Sequence, residues 1–276
     1  MTGSTPADAD PVPSSVRTLL GPGGLRLEIT GRRADVVLDR PATRNAQTPA
    51  TWRALAAVGS WVGAVADVVV VRGEGAAFSA GLDRRAFTPG GLPGERGLHE
   101  LAALPDDDLD AAVAAFQAGF SCWSDTSFVS IAAVQGAAVG AGFQLALACD
   151  LRVLADDARL AMRETSLGLV PDLTGTRPLV RAVGYARALD ICATGRWVPA
   201  AEALGLGLAQ RVVPAAELGR AVAELVAALL APPPGAVAAT KSLLAGALDA
   251  DPREQRAAER RAQAGRLRAL TGGTPS

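Results

Sequence analysis

The chain has 276 residues, 49% of them hydrophobic, which suffices for one large domain with a substantial core or one domain with a small appendage. The net charge of −1 gives no reason to expect nucleic acid or an anionic membrane surface as a partner. One histidine, His99, and three unspaced cysteines, Cys122, Cys149 and Cys192, exclude a zinc site built on several histidines and leave buried free thiols in a reducing compartment as the default.

Lys241 is the only lysine, and the surplus of Ala, Arg and Gly reads as compositional bias, so individual arginines are not read as selected. Residues 1–22, rich in Pro, Ser and Asp, read as a mobile tail with neither the basic region nor the apolar stretch of a signal peptide. Apolar runs are short and broken, so no transmembrane helix is expected.

Leu25–Thr30 and Ala34–Leu38 read as two strands joined around Gly31. The polar loop DRPATRNAQTP (Asp39–Pro49) follows, with Thr48 as N-cap and Pro49 at the first position of a helix running to about Val62. Val68–Val71 is a β-branched run and hence a buried strand. It leads into RGEGAAFSAGLD (Arg72–Asp83), a strand-to-glycine-turn unit. Arg84–Pro105 reads as loop, and Asp108–Trp123 as an amphipathic helix.

The stretch SIAAVQGAAVGAGFQLALACD (Ser130–Asp150) repeats the strand–glycine-turn–helix grammar. Nearly bare backbone at a helix N-terminus lets a ligand approach N–H groups that favour negative charge. The glycines do not fall as G-x-G-x-x-G, so an anion or oxyanion cradle is read here rather than a nucleotide fold; tight packing of helix on strand through small residues is the alternative. Strands at Leu151–Leu154 and Arg159–Met162 precede Glu164, and Thr165–Thr176 is loop and turn. Helices follow over Arg177–Val183, Ala186–Ala193, Ala200–Leu204 and Ala215–Leu230, with a strand at Ala209–Val213. Pro232–Pro234 breaks the chain before helices at Ala236–Leu248 and Pro252–Leu270. Strands early and helices late suggest an α/β core under a helical C-terminal layer.

Four segments stand in order: RPATRNAQ (Arg40–Gln47), GAAFSAGLD (Gly75–Asp83), IAAVQGAAVGAGFQLALACDLRV (Ile131–Val153) and ETSLGLVPD (Glu164–Asp172). With Arg181–Pro214 they resemble the crotonase superfamily, the enoyl-CoA hydratases and isomerases, over roughly residues 24–250. The resemblance implies a spiral of ββα units over residues 23–198 and a helical C-terminal trimerisation region over 199–276. It further implies a homotrimer or hexamer, a cytoplasmic location and an acyl-CoA thioester substrate, with coenzyme A as part of that substrate and no separate cofactor or metal. By motif position, the N–H groups of Leu82 and Ala141 would form an oxyanion hole for a thioester enolate. Arg40, Arg44, Ala80 and Asp83 would line the CoA path.

The hydratases of this family use two glutamates. Their first position is Gln144 here, an amide that neither takes nor gives a catalytic proton near neutral pH, and the second is Glu164. Gln144 either satisfies a polar pocket or positions water or substrate. Asp172 supplies a second carboxylate, or forms a turn after Pro171. One acid with an amide opposite is similar to the pattern of the Δ3,Δ2-enoyl-CoA isomerases. Double-bond isomerisation by Glu164 is therefore the expected reaction. Hydration by Glu164 with Asp172, and non-catalytic acyl-CoA binding, are the alternatives. The family's C-terminal CoA cover is not matched by Arg253–Leu270, which reads as a solvated face or a trimer contact.

Overall fold

The computed structural model describes residues 12–124, 127–247 and 249–271, and its first element corrects the sequence reading. Ser14–Gly23 is a helix, α1, where a mobile tail over 1–22 was expected; residues 1–11 of that tail lie outside the described residues. The reason is local amphipathicity: Val16 is buried and Leu19 and Leu20 pack on the core. Gly24, at φ 64°, caps the helix in the left-handed conformation that glycine adopts without a Cβ penalty.

The antiparallel pair β1 (Leu25–Thr30) and β2 (Arg33–Leu38) turns at Gly31 as predicted. Helix α2 (Pro49–Val62) starts on a reciprocal cap, Thr48 Oγ1 accepting from Thr51 N and Thr51 Oγ1 from Thr48 N. Strand β3 (Val68–Gly73) follows, and Arg84–Pro105, expected to be loop, contains a 3₁₀ turn at Arg84–Phe87 and helix α3 (Leu98–Ala102). His99 lies exposed on α3. Helix α4 (Asp106–Ser121) begins two residues before the predicted Asp108, because Pro105 sets its entry and three aspartates occupy its first turn, where the helix dipole favours them.

Next come β4 (Val129–Val134), β5 (Ala137–Val139), α5 (Ala141–Ala148), β6 (Leu151–Ala155) and β7 (Arg159–Ala161). Helices α6 (Thr176–Val183) and α7 (Tyr185–Thr194), strand β8 (Val198–Pro199), helix α8 (Ala200–Gly205) and strand β9 (Arg211–Val213) continue the chain. It closes with α9 (Leu218–Leu230), α10 (Ala236–Gly246) and α11 (Pro252–Thr271).

The main sheet has the order β1-β2-β3-β4-β6-β9, parallel from β2 onward, and a second sheet has the order β5-β7-β8. Single bridges, Gln47 to Leu82 and Ser79 to Ala138, extend the second sheet into the loops after β2 and β3. Each turn of the chain thus gives one strand to the main sheet, a short extended piece to the second sheet, and then a helix. This is the repeated ββα unit that the family resemblance implied. Both faces of the central strands are covered, which is why Val68–Val71 of β3 reads as an unbroken apolar run. Val69, Val71, Ala132 and Val134 face the larger core, while Val68, Val70, Ile131 and Ala133 meet Ala221, Val222 and Val226 of α9.

The α10–α11 hairpin buries no residue fully and is anchored by polar contacts. Lys241 donates to Phe128 O at 2.7 Å and to Asp150 Oδ2 at 2.8 Å, and Asp249 pairs with Arg177 and Arg181 of α6. Among the described residues no helix is long and apolar enough to cross a membrane.

Candidate active site

Two glycine-rich turns meet where the loop after β3 crosses the start of α5. Gly81 has φ 83°, and a Cβ there would collide with the Val139 carbonyl oxygen and stand 3.6 Å from Ala141 N. A Cβ on Gly142 would stand 2.6 Å from Ser79 O. Only glycine lets these backbones close up. The contact brings Leu82 and Ala141 onto one wall. Among the described residues, no protein acceptor is recorded for either N–H. Ala141 opens α5, so its N–H is one of the helix's unpartnered donors, at the positive end of the dipole.

Glu164 lies beside this wall, since a Cβ on Gly140 would stand 3.1 Å from Glu164 Oε1. The carboxylate is buried at 8% exposure. Glu164 Oε1 accepts from Gln144 Nε2 at 2.7 Å, whereas Oε2 is buried without a hydrogen-bond partner. A buried polar atom left unmatched is costly and marks a place where a ligand can supply the partner. Burial pushes the Glu164 carboxyl above the ordinary glutamate range; the Gln144 hydrogen bond opposes this and the charge of nearby Asp172 adds to it.

Gln144, wholly buried on α5, has every polar atom committed. Its Oε1 accepts from Leu173 N at 2.9 Å and from Gly175 N at 3.2 Å, which fixes the amide with Nε2 toward Glu164. Gln144 therefore ties the loop at 173–175 to the Glu164 carboxylate. Asp172 is solvent-accessible, with its carboxyl pushed up by partial burial, and its backbone oxygen accepts from Gln117 of α4. Cys192 is half-buried near Glu164, whose charge together with burial raises its thiol pKa.

Of the four positions expected along a CoA path, two are tied to each other. Arg40 donates to Ala46 O at 2.8 Å and to Asp83 Oδ2 at 3.0 Å, and Arg85 adds further bonds to Asp83. These bonds, Arg85 foremost, hold the Asp83 carboxyl down at about 2. Arg40 and Asp83 thus join the loops after β2 and β3. Arg44 is exposed at φ 52°, and its carbonyl accepts from Ala80 N at 2.8 Å.

Three buried polar residues of this region escaped the sequence reading as individuals: Asn45, Gln47 and Ser79. Asn45 Nδ2 donates to Glu74 O and Ala77 O, pinning one loop to the other. The signal in the sequence was an asparagine within a polar, turn-rich loop, a residue type that tolerates the left-handed conformation Asn45 takes, φ 55°.

Comparison with known proteins places the chain in a family. The profile of the enoyl-CoA hydratase/isomerase family matches residues 30–267. A protein of Mycobacterium tuberculosis named as a probable enoyl-CoA hydratase, EchA17, is 34% identical over 230 residues, covering 83% of this chain and 82% of its own. A candidate enoyl-CoA hydratase from Thermobifida fusca YX, crystallised in complex with acetoacetyl-CoA, is 48% identical with a TM-score of 0.87, covering 91% of this chain and 97% of its own. A candidate enoyl-CoA hydratase from Streptomyces coelicolor A3(2) is 26% identical with a TM-score of 0.80, covering 100% of this chain and 98% of its own. With its ββα spiral, its glycine cradle and this match across most of its length, the chain belongs to the enoyl-CoA hydratase/isomerase family.

Proposed function

We propose that the protein isomerises the double bond of an enoyl-CoA, with Glu164 moving one proton between two carbons. The observation that carries this reading is a single buried carboxylate, with one oxygen unpartnered, beside two free backbone N–H groups. The acid position opposite is filled by an amide already engaged in three hydrogen bonds. In this scheme Glu164 takes a proton from C2 of a 3-enoyl thioester. The C2–H electron pair moves into the C1–C2 bond and the thioester oxygen takes up negative charge as a dienolate. Leu82 N–H and Ala141 N–H hold that oxygen, and donors of this kind contribute roughly 3–4 kcal/mol each to such a transition state. Glu164 then returns the proton to C4, leaving the double bond between C2 and C3. The acetoacetyl-CoA bound by the Thermobifida relative supports the substrate class.

Arg44 and Ala80 are the positions we assign to the coenzyme, with Arg40 and Asp83 shaping the loop that presents them. The trimer or hexamer implied by the family would cover exposed apolar side chains such as Tyr185 and Leu189 on α7. Hydration is the second reading, favoured by the names of the relatives. It would pair Glu164 with Asp172, whose carboxyl is also raised.

The pH profile tests the role of Glu164. A base must be ionised, and burial has raised this carboxyl, so kcat/KM for 3-enoyl-CoA is expected to fall on the acid side with a midpoint above the ordinary glutamate range. Chromatography of the products across pH reads this directly. An acid limb at the value of a solvated carboxylate, or no isomerised product at any pH, would count against Glu164 as the base.

A further inference from the structure

We infer that Gln47, held in place by Trp52 and Ser79, is a positioning residue that locks the Leu82 N–H into the cradle. This rests on the reading that the cradle holds a thioester oxygen as it becomes an enolate.

The Gly81 carbonyl and the Leu82 N–H belong to the same trans peptide, so they point in opposite directions. Gln47 N donates to Gly81 O at 2.7 Å, and Gln47 O accepts from Asp83 N at 2.8 Å. With the carbonyl held on the Gln47 side, the Leu82 N–H must face the other way, into the cleft. Gly81 itself would not fix this orientation. At φ 83° and without a Cβ it is the residue best able to let the 81–82 peptide turn over. The neighbouring bond from Gln47 supplies the restraint that Gly81 lacks.

What holds Gln47 in place is a buried chain of side chains in which each polar atom is matched. Trp52 Nε1 donates to Gln47 Oε1 at 2.8 Å, and Gln47 Nε2 donates to Ser79 Oγ at 3.0 Å. Ser79 Oγ donates to Asn45 O at 2.8 Å and accepts from Gly81 N at 3.2 Å. Gln47 and Ser79 are both fully buried, and Trp52 nearly so. The chain runs from helix α2 to Gly81, so the residue before Leu82 is held at its N–H by Ser79 and at its carbonyl by Gln47. An apolar side chain at 47 would leave the Trp52 N–H without an acceptor and remove one partner of Ser79 in a buried setting, which favours rearrangement of this segment.

The test uses purified full-length protein, its Gln47→Met and Trp52→Phe variants and the double variant. Acetoacetyl-CoA is the probe, because its bound enolate has its own ultraviolet absorbance, and plain CoA serves as the control ligand. Loss of a whole oxyanion donor costs about 10²–10³ in kcat. For a displaced donor we therefore expect kcat and the enolate fraction to fall about tenfold or more, with KM and the affinity for CoA little changed. The double variant should be no worse than Gln47→Met, because both changes act on one chain. An unchanged enolate fraction and kcat in folded Gln47→Met would overturn the inference. Should Gln47→Met fail to fold, Trp52→Phe keeps an aromatic ring at the position and removes the N–H donor with part of the indole, and an unchanged signal in that folded variant does the same. A wild-type protein that binds acetoacetyl-CoA without an enolate signal would instead overturn the cradle reading on which the inference stands.

Discussion

Replacing Glu164 by Gln is expected to lower kcat by roughly 10²–10⁴-fold while the affinity for acyl-CoA stays close to that of the wild type. The size follows from the proposed role, in which one carboxylate would take and return the proton; the Gln144 amide opposite can do neither near neutral pH. Gln keeps the size and an oxygen that can still accept from Gln144, so the pocket need not rearrange. The change also has a signature in stability. Burial raises the Glu164 carboxyl in the folded state, so the folded protein holds this proton more tightly than the unfolded chain does. Wild-type stability therefore declines as pH rises from the ordinary glutamate value through the raised one. The Glu164→Gln variant lacks that decline. Steady-state kinetics, a binding titration and thermal melts across pH check all three parts. Turnover retained within a few-fold would remove Glu164 from the chemistry.

The second large effect is expected at the cradle. Gly81→Ala should reduce kcat by about 10²–10³, as for loss of one oxyanion donor, with a smaller change in KM. A Cβ at this position meets the Val139 carbonyl oxygen, and φ 83° is itself unfavourable for alanine, by about 1–3 kcal/mol. Relief of both requires the peptide carrying Leu82 N–H to move. Circular dichroism and a melting curve separate this from unfolding. A folded Gly81→Ala enzyme with wild-type kcat would mean that Leu82 N–H does not hold the reacting oxygen.

Elements governed by local signals were legible in the sequence. Thr48 and Pro49 marked the start of α2 because an N-cap acts within one turn, and Val68–Val71 marked β3 because a strand buried on both faces is continuously apolar. The positions of Glu164, Gln144, Leu82 and Ala141 were legible through motif register, since two of them depend on backbone and glycine alone. Features made by distant partners were not legible. Strand β5 is three small residues whose partner β7 lies beyond α5 and β6. Arg40 and Asp83 were both placed along the CoA path, but nothing local shows that they pair with each other. The partners of Gln144 were not legible either, because the N–H groups of Leu173 and Gly175 that meet its oxygen lie on a distant loop. Helix α1 was hidden by the Pro- and Ser-rich residues before it, although Val16, Leu19 and Leu20 carry the apolar spacing that docks it.

The proposed isomerisation needs one carboxylate to serve both halves of a proton shift, and a paired assay on the purified protein tests this most directly. One reaction receives a 3-enoyl-CoA and the other a 2-enoyl-CoA, with products separated by chromatography. Conversion of the first to the conjugated 2-enoyl-CoA, with hydration of the second slower by a wide margin, is the predicted result. Rapid formation of 3-hydroxyacyl-CoA from the second, with the first unchanged, would contradict it and make Asp172 the partner of Glu164 in a hydratase.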